Sequence, residues 1–257
     1  MDQKIAIGAG VAVVLAAGVF WLWPEKAATP VVEPTVVAMP DEPAIKHSVP
    51  ELAEASQRAL PELAGSDAAV ANSAESIFGA AAIAQWLVPD QIVKHVVVTL
   101  DNLPRKKFAE RQKPIKAVPG RFIVEGTDEK RTIGADNAAR YASMVQLVQS
   151  LDMSRVGAEY FRLYPLFQEA YTDLGYPDGY FNDRLVTVID DLLAAPEVSG
   201  PIAVVQPNVM YEYADPALEN LSAGQKAMIR LGPGNAATIK KKLQELRAVV
   251  ATHKPAS

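Results

Sequence analysis

Paired carboxylates are the first residues here whose type and spacing could do chemistry. Asp183 and Asp190 stand seven residues apart, two turns of a helix, and so share one face. Two carboxylates in unlike environments can divide the roles of general acid and general base. By the same angular count, however, that face lies opposite Leu185 and Leu192, in water, where a carboxylate keeps its ordinary proton affinity and makes a poor acid. Asp190 and Asp191 are adjacent and do not face each other. Of three histidines, only His95 falls in a patterned segment, on the side away from the Val93–Val97–Leu100 stripe, so it is expected at the surface. A lone surface histidine gives a His-based metal site or a Ser-His-Asp triad little material. There is no cysteine, which excludes a thiol nucleophile, a Cys-ligated metal and a disulfide. No Gly-rich phosphate loop, HExxH or GxSxG occurs. The expectation is a non-enzymatic chain with no catalytic residues, no cofactor and no metal.

Binding residues are the second class. Between Arg105 and Arg121 lie seven cations, Arg105, Lys106, Lys107, Arg111, Lys113, Lys116 and Arg121, against one glutamate. Such a stretch suits either a solvated connection or an anionic partner such as a phospholipid headgroup, an acidic protein or a cell-wall polymer. Tyr164, Tyr171, Tyr176, Tyr180 and Phe181 supply enough aromatic surface for a glycan-binding groove, or equally for a packed core. The net charge of −5 argues against nucleic acid, which needs a basic surface.

The elements that must hold these residues are mostly helices. Ser66-Asp67 starts one that runs to about Phe78. Pro89 suits the first position of another, carrying Val93, Val96, Val97, Leu100 and Leu103 until Pro104 ends it. Asp136 or Asn137 caps a helix with Tyr141, Met144, Val145, Val148 and Leu151 on one face. A longer helix near Ser154–Leu174 presents Tyr160, Leu163, Tyr164, Phe167, Tyr171 and Leu174; Pro165 should kink it and Gly175 end it. Phe181–Ala194 follows, with Leu185, Val188, Ile189 and Leu192 inward. Asp215 and Ser222 cap two short helices, Gly232-Pro233-Gly234-Asn235 reads as a break, and a last helix spans about Ala236–Val250. Turn residues between 122–125 and 130–133, and between 202–206 and 209–213, predict two short β-hairpins. The expected fold is mainly α, a helical bundle over 61–251 with a short tail at 252–257.

What precedes the bundle is of another kind. Ile5–Trp23 is 19 residues without a charge, about 28 Å as a helix and close to the hydrocarbon thickness of a bilayer. Ile5 and Leu15 lie in its apolar body; Phe20, Trp21 and Trp23 cluster at its end, where amphipathic rings favour the headgroup layer. A cleaved signal peptide would need a shorter core and small residues before the cut, whereas Lys26 occupies the minus-three position of any cut after Ala28. Residues 24–60 read as a Pro/Ala/Val-rich linker, with prolines at 24, 30, 34, 40, 43 and 50 and with His47 inert within it. Long domains after a first span are usually translocated, so the N-terminus is expected in the cytoplasm, the anchor in the inner membrane and the domain in the periplasm.

Trp86-Leu87-Val88-Pro89-Asp90, Asp101-Asn102-Leu103-Pro104-Arg105, Tyr164-Pro165-Leu166-Phe167-Gln168-Glu169-Ala170-Tyr171, Leu174-Gly175-Tyr176-Pro177, Phe181-Asn182-Asp183-Arg184-Leu185, Val205-Gln206-Pro207 and Ser222-Ala223-Gly224-Gln225-Lys226 resemble an uncharacterised bacterial family of single-span envelope proteins, known only as a domain of unknown function. The resemblance runs from about Leu60 to Val250 and implies no activity or ligand. A weaker one covers about 30 residues: Leu166-x-Gln168-x-Ala170-x-x-x-Leu174-Gly175-Tyr176 and then Asp178-Gly179-x-Phe181 are similar to the helical peptidoglycan-binding module of cell-wall enzymes. Asn182 and Leu185 depart from that module's Gly and Thr. Two functions are therefore expected: first a scaffold or adaptor for other envelope proteins, with the bilayer and a protein or cell-wall component as partners; second a module that binds peptidoglycan or lipid headgroups. Hydrolase activity is the remote third.

Overall fold

The structure, a computed structural model, describes residues 45–50, 60–106, 113–127, 130–207 and 210–251. These residues are mainly helical, with two small antiparallel strand pairs. In chain order they form α1 (Asp67–Phe78), α2 (Ala80–Trp86), α3 (Ile92–Asn102), β1 (Val124–Glu125), β2 (Thr132–Ile133), a 3-10 segment (Ala135–Tyr141), α4 (Ala142–Gln149), α5 (Met153–Asp173), α6 (Phe181–Leu193), β3 (Val204–Val205), β4 (Glu212–Tyr213), α7 (Pro216–Glu219), α8 (Ala223–Arg230) and α9 (Pro233–Val250). Among the described residues no helix is long and apolar enough to cross a membrane. The anchor residues Ile5, Leu15, Phe20, Trp21 and Trp23, and the linker up to Ala44, lie outside the described residues.

Helical spacing of apolar residues decides the architecture. α3 is rich in β-branched residues that locally favour strand, but its Val93, Val96, Val97 and Leu100 form one stripe, and all are buried with Leu103. α3 packs against α1, α5 and α6, which leaves it little outer face. His95 is accordingly half-buried rather than on the surface, and its Nδ1 is shielded without a hydrogen-bond partner. The helix begins at Ile92, three residues after Pro89, because Gln91 turns with φ 45° and the Asp67 carboxylate of α1 takes the N–H groups of Gln91 (2.8 Å) and Ile92 (2.7 Å).

α5 is the central helix. Asp152 caps it by accepting from Ser154 N and Arg155 N, it runs through Pro165, and Gly175, at φ 110°, follows its end. α9 lies along α4, α5 and α6 with Ile239, Leu243, Leu246 and Val250 inward. At Gly157 the two long helices come so close that a Cβ would collide with Val249. Ser222 and Gln225 complete a capping box at α8.

Four expectations shift. α2 has no sequence counterpart in the reading above. The break at 232–235 is confined to Gly232, because Pro233, needing no N–H, serves as the first residue of α9. Asn137 does not cap a helix: its side chain accepts from Ile123 N (3.0 Å) and donates to Ile123 O, pinning the chain before β1. Leu174 is 38% exposed rather than inward.

The two hairpins form, with Val124 opposite Ile133 and Val204 opposite Tyr213. They also join. Thr132 bridges Ala203, Ile133 N donates to Ile202 O (2.9 Å) and Val204 N donates to Arg131 O (2.9 Å), so the strands make one patch in the order β1-β2-β3-β4.

Candidate functional site

The five aromatic residues of the anticipated groove build core instead. Tyr164, Tyr171 and Phe181 are buried, Tyr176 and Tyr180 half-buried. Tyr171 stacks on Tyr176 with centroids 4.6 Å apart, and Tyr164 tilts against Tyr180 at 5.5 Å. Gln168 locks the cluster: its Oε1 accepts from Tyr164 OH (2.8 Å) and Phe181 N (2.9 Å), and its Nε2 donates to Gly179 O (2.7 Å). Burial pushes the Tyr164 and Tyr171 hydroxyls above the usual phenol range, so both stay neutral. The glycan-groove reading is corrected on this ground: rings whose faces lie against one another offer no open platform.

Among its described residues, the basic stretch does not converge either. Lys107 and Arg111 lie outside the described residues. Arg105, though exposed, is paired: its Nη2 donates to Asp101 Oδ2 (2.5 Å) and Tyr176 OH (2.7 Å). Lys106 donates to Asn220 Oδ1 (3.1 Å), and Lys116 to Ala84 O (2.8 Å) in α2. Lys113 is half-buried and engaged, and Arg121 is exposed. Ile115 and Val118 anchor this segment in the core, and Val88 N and Lys116 N tie it to the end of α2 through Pro114 O and Trp86 O.

Arg105 belongs to a polar hub that joins four segments. Asp101 is 3% exposed, yet takes Arg184 Nε on Oδ1 (2.9 Å), Arg105 Nη2 and Tyr176 OH on Oδ2, and Arg184 Nη2 on its main-chain oxygen (2.5 Å). A buried carboxylate requires such company. Next to it, Ala223 N and Gly224 N at the start of α8 donate to Arg105 O (2.7 Å) and Leu103 O (2.8 Å). Ser222 Oγ donates to Asp191 Oδ2 (2.7 Å), and burial raises the Asp191 carboxyl above its ordinary value. Gly224 has no space for a Cβ, which would sit 2.7 Å from Leu192 and 3.2 Å from Leu103 O.

Asp183 and Asp190 part company. Asp190 is exposed and holds Arg247 through Nε (2.5 Å) and Nη2 (3.0 Å). Asp183, expected to be solvated, receives the main-chain N–H groups of Lys46 (3.0 Å, on Oδ2) and His47 (2.8 Å, on Oδ1). Asn182 Nδ2 donates to His47 O (2.7 Å), Val49 N to Tyr180 OH (2.8 Å), and His47 Nδ1 lies 3.3 Å from Ala251 O. The end of the expected linker is thus laid as a strap across the start of α6 and the end of α9. His47, read as inert, is part of it.

One concavity is apolar. A cleft of about 310 Å³ is lined by Ala195, Val198, Ile202, Met228, Ile229 and Ala236, with Lys240 Nζ closing one side through Ala195 O (2.7 Å). It continues past Gly200 and Pro233 into a hollow of about 160 Å³. Its size suits a small ligand or a few side chains. No group of three or more acidic or histidine residues that could hold a metal occurs among the described residues.

Residues 92–247 match the family model described as a protein of unknown function, DUF3014. The chain belongs to that family. The DUF3014 span takes in the whole hub, α3 through most of α9 and the cleft; the strap and the Trp86–Asp90 string fall before it. No curated protein and no solved structure matches the chain. Sequence reasoning missed both the hub and the strap. Asp101, Arg105, Tyr176 and Arg184 all stand in the strings that carry the family resemblance, but nothing in those strings said that they meet, and the strap carried only the prolines that suggested a spacer.

Proposed function

We propose that this chain is a non-enzymatic, single-pass envelope protein anchored in the inner membrane by Ile5–Trp23, with a cytoplasmic N-terminus and a periplasmic helical domain that serves as adaptor for other envelope proteins. The observation that carries this reading is the strap. An adaptor has to present its surface in a set orientation relative to its tether, and main-chain bonds from Lys46, His47 and Val49 to α6 and its approach fix where the tether leaves the domain. The carboxylates that acid–base chemistry would need are committed elsewhere: Asp101 to two arginines, Asp183 to the strap, Asp190 to Arg247 and Asp191 to Ser222. The 19 uncharged residues before the linker supply the anchor.

Crosslinking in living cells, followed by purification of the full chain, tests the adaptor role. A defined set of envelope proteins should be captured, and the set should disappear when the domain is deleted while the anchor stays. Capture of the same set by the anchor alone overturns the reading. A reporter fused after Ser257 that works only outside the cytoplasm should be active; activity of a cytoplasm-only reporter there reverses the orientation.

A further inference from the structure

The strap is held almost wholly through its backbone. Asp183 takes two consecutive N–H groups, those of Lys46 and His47. Asn182, itself fully buried, donates to His47 O and braces the end of α9 through Val250 O (3.0 Å). Tyr180 OH takes Val49 N two residues further on. The side chains contribute less: Val49 packs against the core, His47 Nδ1 reaches Ala251 O at 3.3 Å, and Ile45 and Lys46 are exposed. A site that accepts N–H groups at two adjacent positions and again two residues on, and donates to the carbonyl of the second, reads a main chain bent at its first two residues and asks only for an apolar residue at one place. Asn182 Oδ1 is also buried and has no partner while the strap is in place, so the present occupant does not satisfy the site completely.

We propose that the start of α6, formed by Tyr180, Asn182 and Asp183, is a binding site for a bent main-chain segment, that residues 46–50 occupy it in cis as a gate, and that its second occupant is a segment of a partner protein with the strap's own main-chain shape and an apolar residue at the place of Val49. The mode is recognition of main chain by fixed donors and acceptors carried on the side chains of one helix start. Covalent attachment sets the rule of exchange. A tethered segment competes at an effective concentration on the order of millimolar, so a free segment displaces it only when its concentration relative to its own dissociation constant exceeds that ratio for the strap. Withdrawal of the tether opens the site to weaker partners. This inference deepens the adaptor reading and depends on it for the partner in the cell; the binding site itself does not depend on it.

The probe is the acetylated, amidated and fluorescently labelled peptide Ala-Ile-Gln-His-Ser-Val-Pro-Glu, which is residues 44–51 with Lys46→Gln so that trypsin leaves it intact. The receptor is the full chain in detergent, either wild type or with 45–50 replaced by a Gly-Ser spacer. The spacer chain should bind the peptide at least ~10-fold more tightly than wild type, because no cis occupant competes. Adding Asp183→Ala to the spacer chain, or N-methylating the peptide at its histidine, should weaken binding by about 10-fold or more. Equal binding of a scrambled peptide, or no binding to the spacer chain at millimolar peptide, overturns the proposal. A second measurement needs no variant: saturating peptide should speed tryptic cleavage after Lys46 of the wild-type chain by several-fold, and an unchanged rate overturns the exchange. Wild-type mass that is twice that of one chain and halves when peptide is added would assign the site to a second copy and overturn the partner assignment. A failed crosslinking capture with intact peptide binding removes the adaptor reading and leaves the site.

Discussion

Asp101→Ala is the most informative single change to the hub. It deletes a carboxylate that is 3% exposed and accepts from Arg184, Arg105 and Tyr176. Removing one partner of a buried ion pair typically costs about 3–5 kcal/mol, because the other charge is left without compensation. Here the stranded charge is Arg184, whose side chain is 23% exposed and which keeps its bond to the Asp101 main-chain oxygen, so the lower end applies, about 3 kcal/mol. Arg105 has a 51% exposed side chain and can turn to water, so Arg105→Gln should cost only about 0.5 kcal/mol. The double change Asp101→Ala with Arg184→Met should cost at least ~1 kcal/mol less than the sum of the single changes, since neither charge is then left alone. Urea unfolding of a chain beginning at Ala44 measures all four, and the first change should also lower Tm by roughly 6–12 °C. An Asp101→Ala cost below about 1 kcal/mol, or strict additivity with Arg184→Met, would refute the claim that this cluster is electrostatically coupled and buried.

Other changes probe other contacts. Gly157→Ala should destabilise by about 1–3 kcal/mol in urea unfolding, because the new methyl meets Val249 where α5 and α9 touch. Tyr141 is fully buried with a hydroxyl that has no partner, and burial raises it to about 12; Tyr141→Phe should therefore stabilise by roughly 1 kcal/mol, and by more as pH rises above 10, where the unfolded wild type alone ionises. The Asp191 carboxyl is raised above 3.8 by burial, so the folded state holds its proton more tightly and the stability this gives is lost as pH rises through the folded value; the stability of Asp191→Asn relative to wild type should grow across that window, as read by melts at successive pH values. A chain beginning at Glu51 lacks the strap and its four main-chain bonds to the start of α6, and should melt several degrees below one beginning at Ala44, at about 0.5 kcal/mol for each partly exposed bond.

The helices were legible because their signal is local. Every residue of the Val93–Leu103 stripe is buried, as are those of α6 and α9, since a 3.6-residue period on one segment already says which face meets the core. Caps were legible for the same reason: Asp215 and Ser222 act three residues or fewer from where they stand. The start of α9 was misplaced because Gly-Pro-Gly-Asn carries both a break and a good first helical residue, and only packing against the preceding turn tells which applies. The site was illegible because its bonds are long-range. Arg105 meets Tyr176 across 71 residues, Arg184 meets Asp101 across 83 and Asp183 meets His47 across 136. Counting charge along 105–121 described a cation-rich surface; tertiary pairing commits its first cation to Asp101 and Tyr176. The prolines along 24–50 suggested an extended spacer, whereas residues 45–50 are held as a strap that bends at Lys46 and His47; composition does not distinguish the two.

The same accounting of polar groups bears on what the domain can do. A carboxylate that already holds a guanidinium or a pair of main-chain N–H groups has both oxygens engaged, and displacing those partners to shuttle a proton would leave a charge or an amide unpaired. That holds for Asp101 and Asp183, and Asp191 is bound to Ser222. The aromatic rings are likewise committed to one another. Among the described residues, two places bear on the proposed role. One is the apolar cleft beside Ile202 and Met228. The other is the start of α6, where Tyr180, Asn182 and Asp183 hold Lys46, His47 and Val49 of the tether and where a buried Asn182 oxygen has no partner. Both would recognise shape and main chain, as the proposed adaptor role requires.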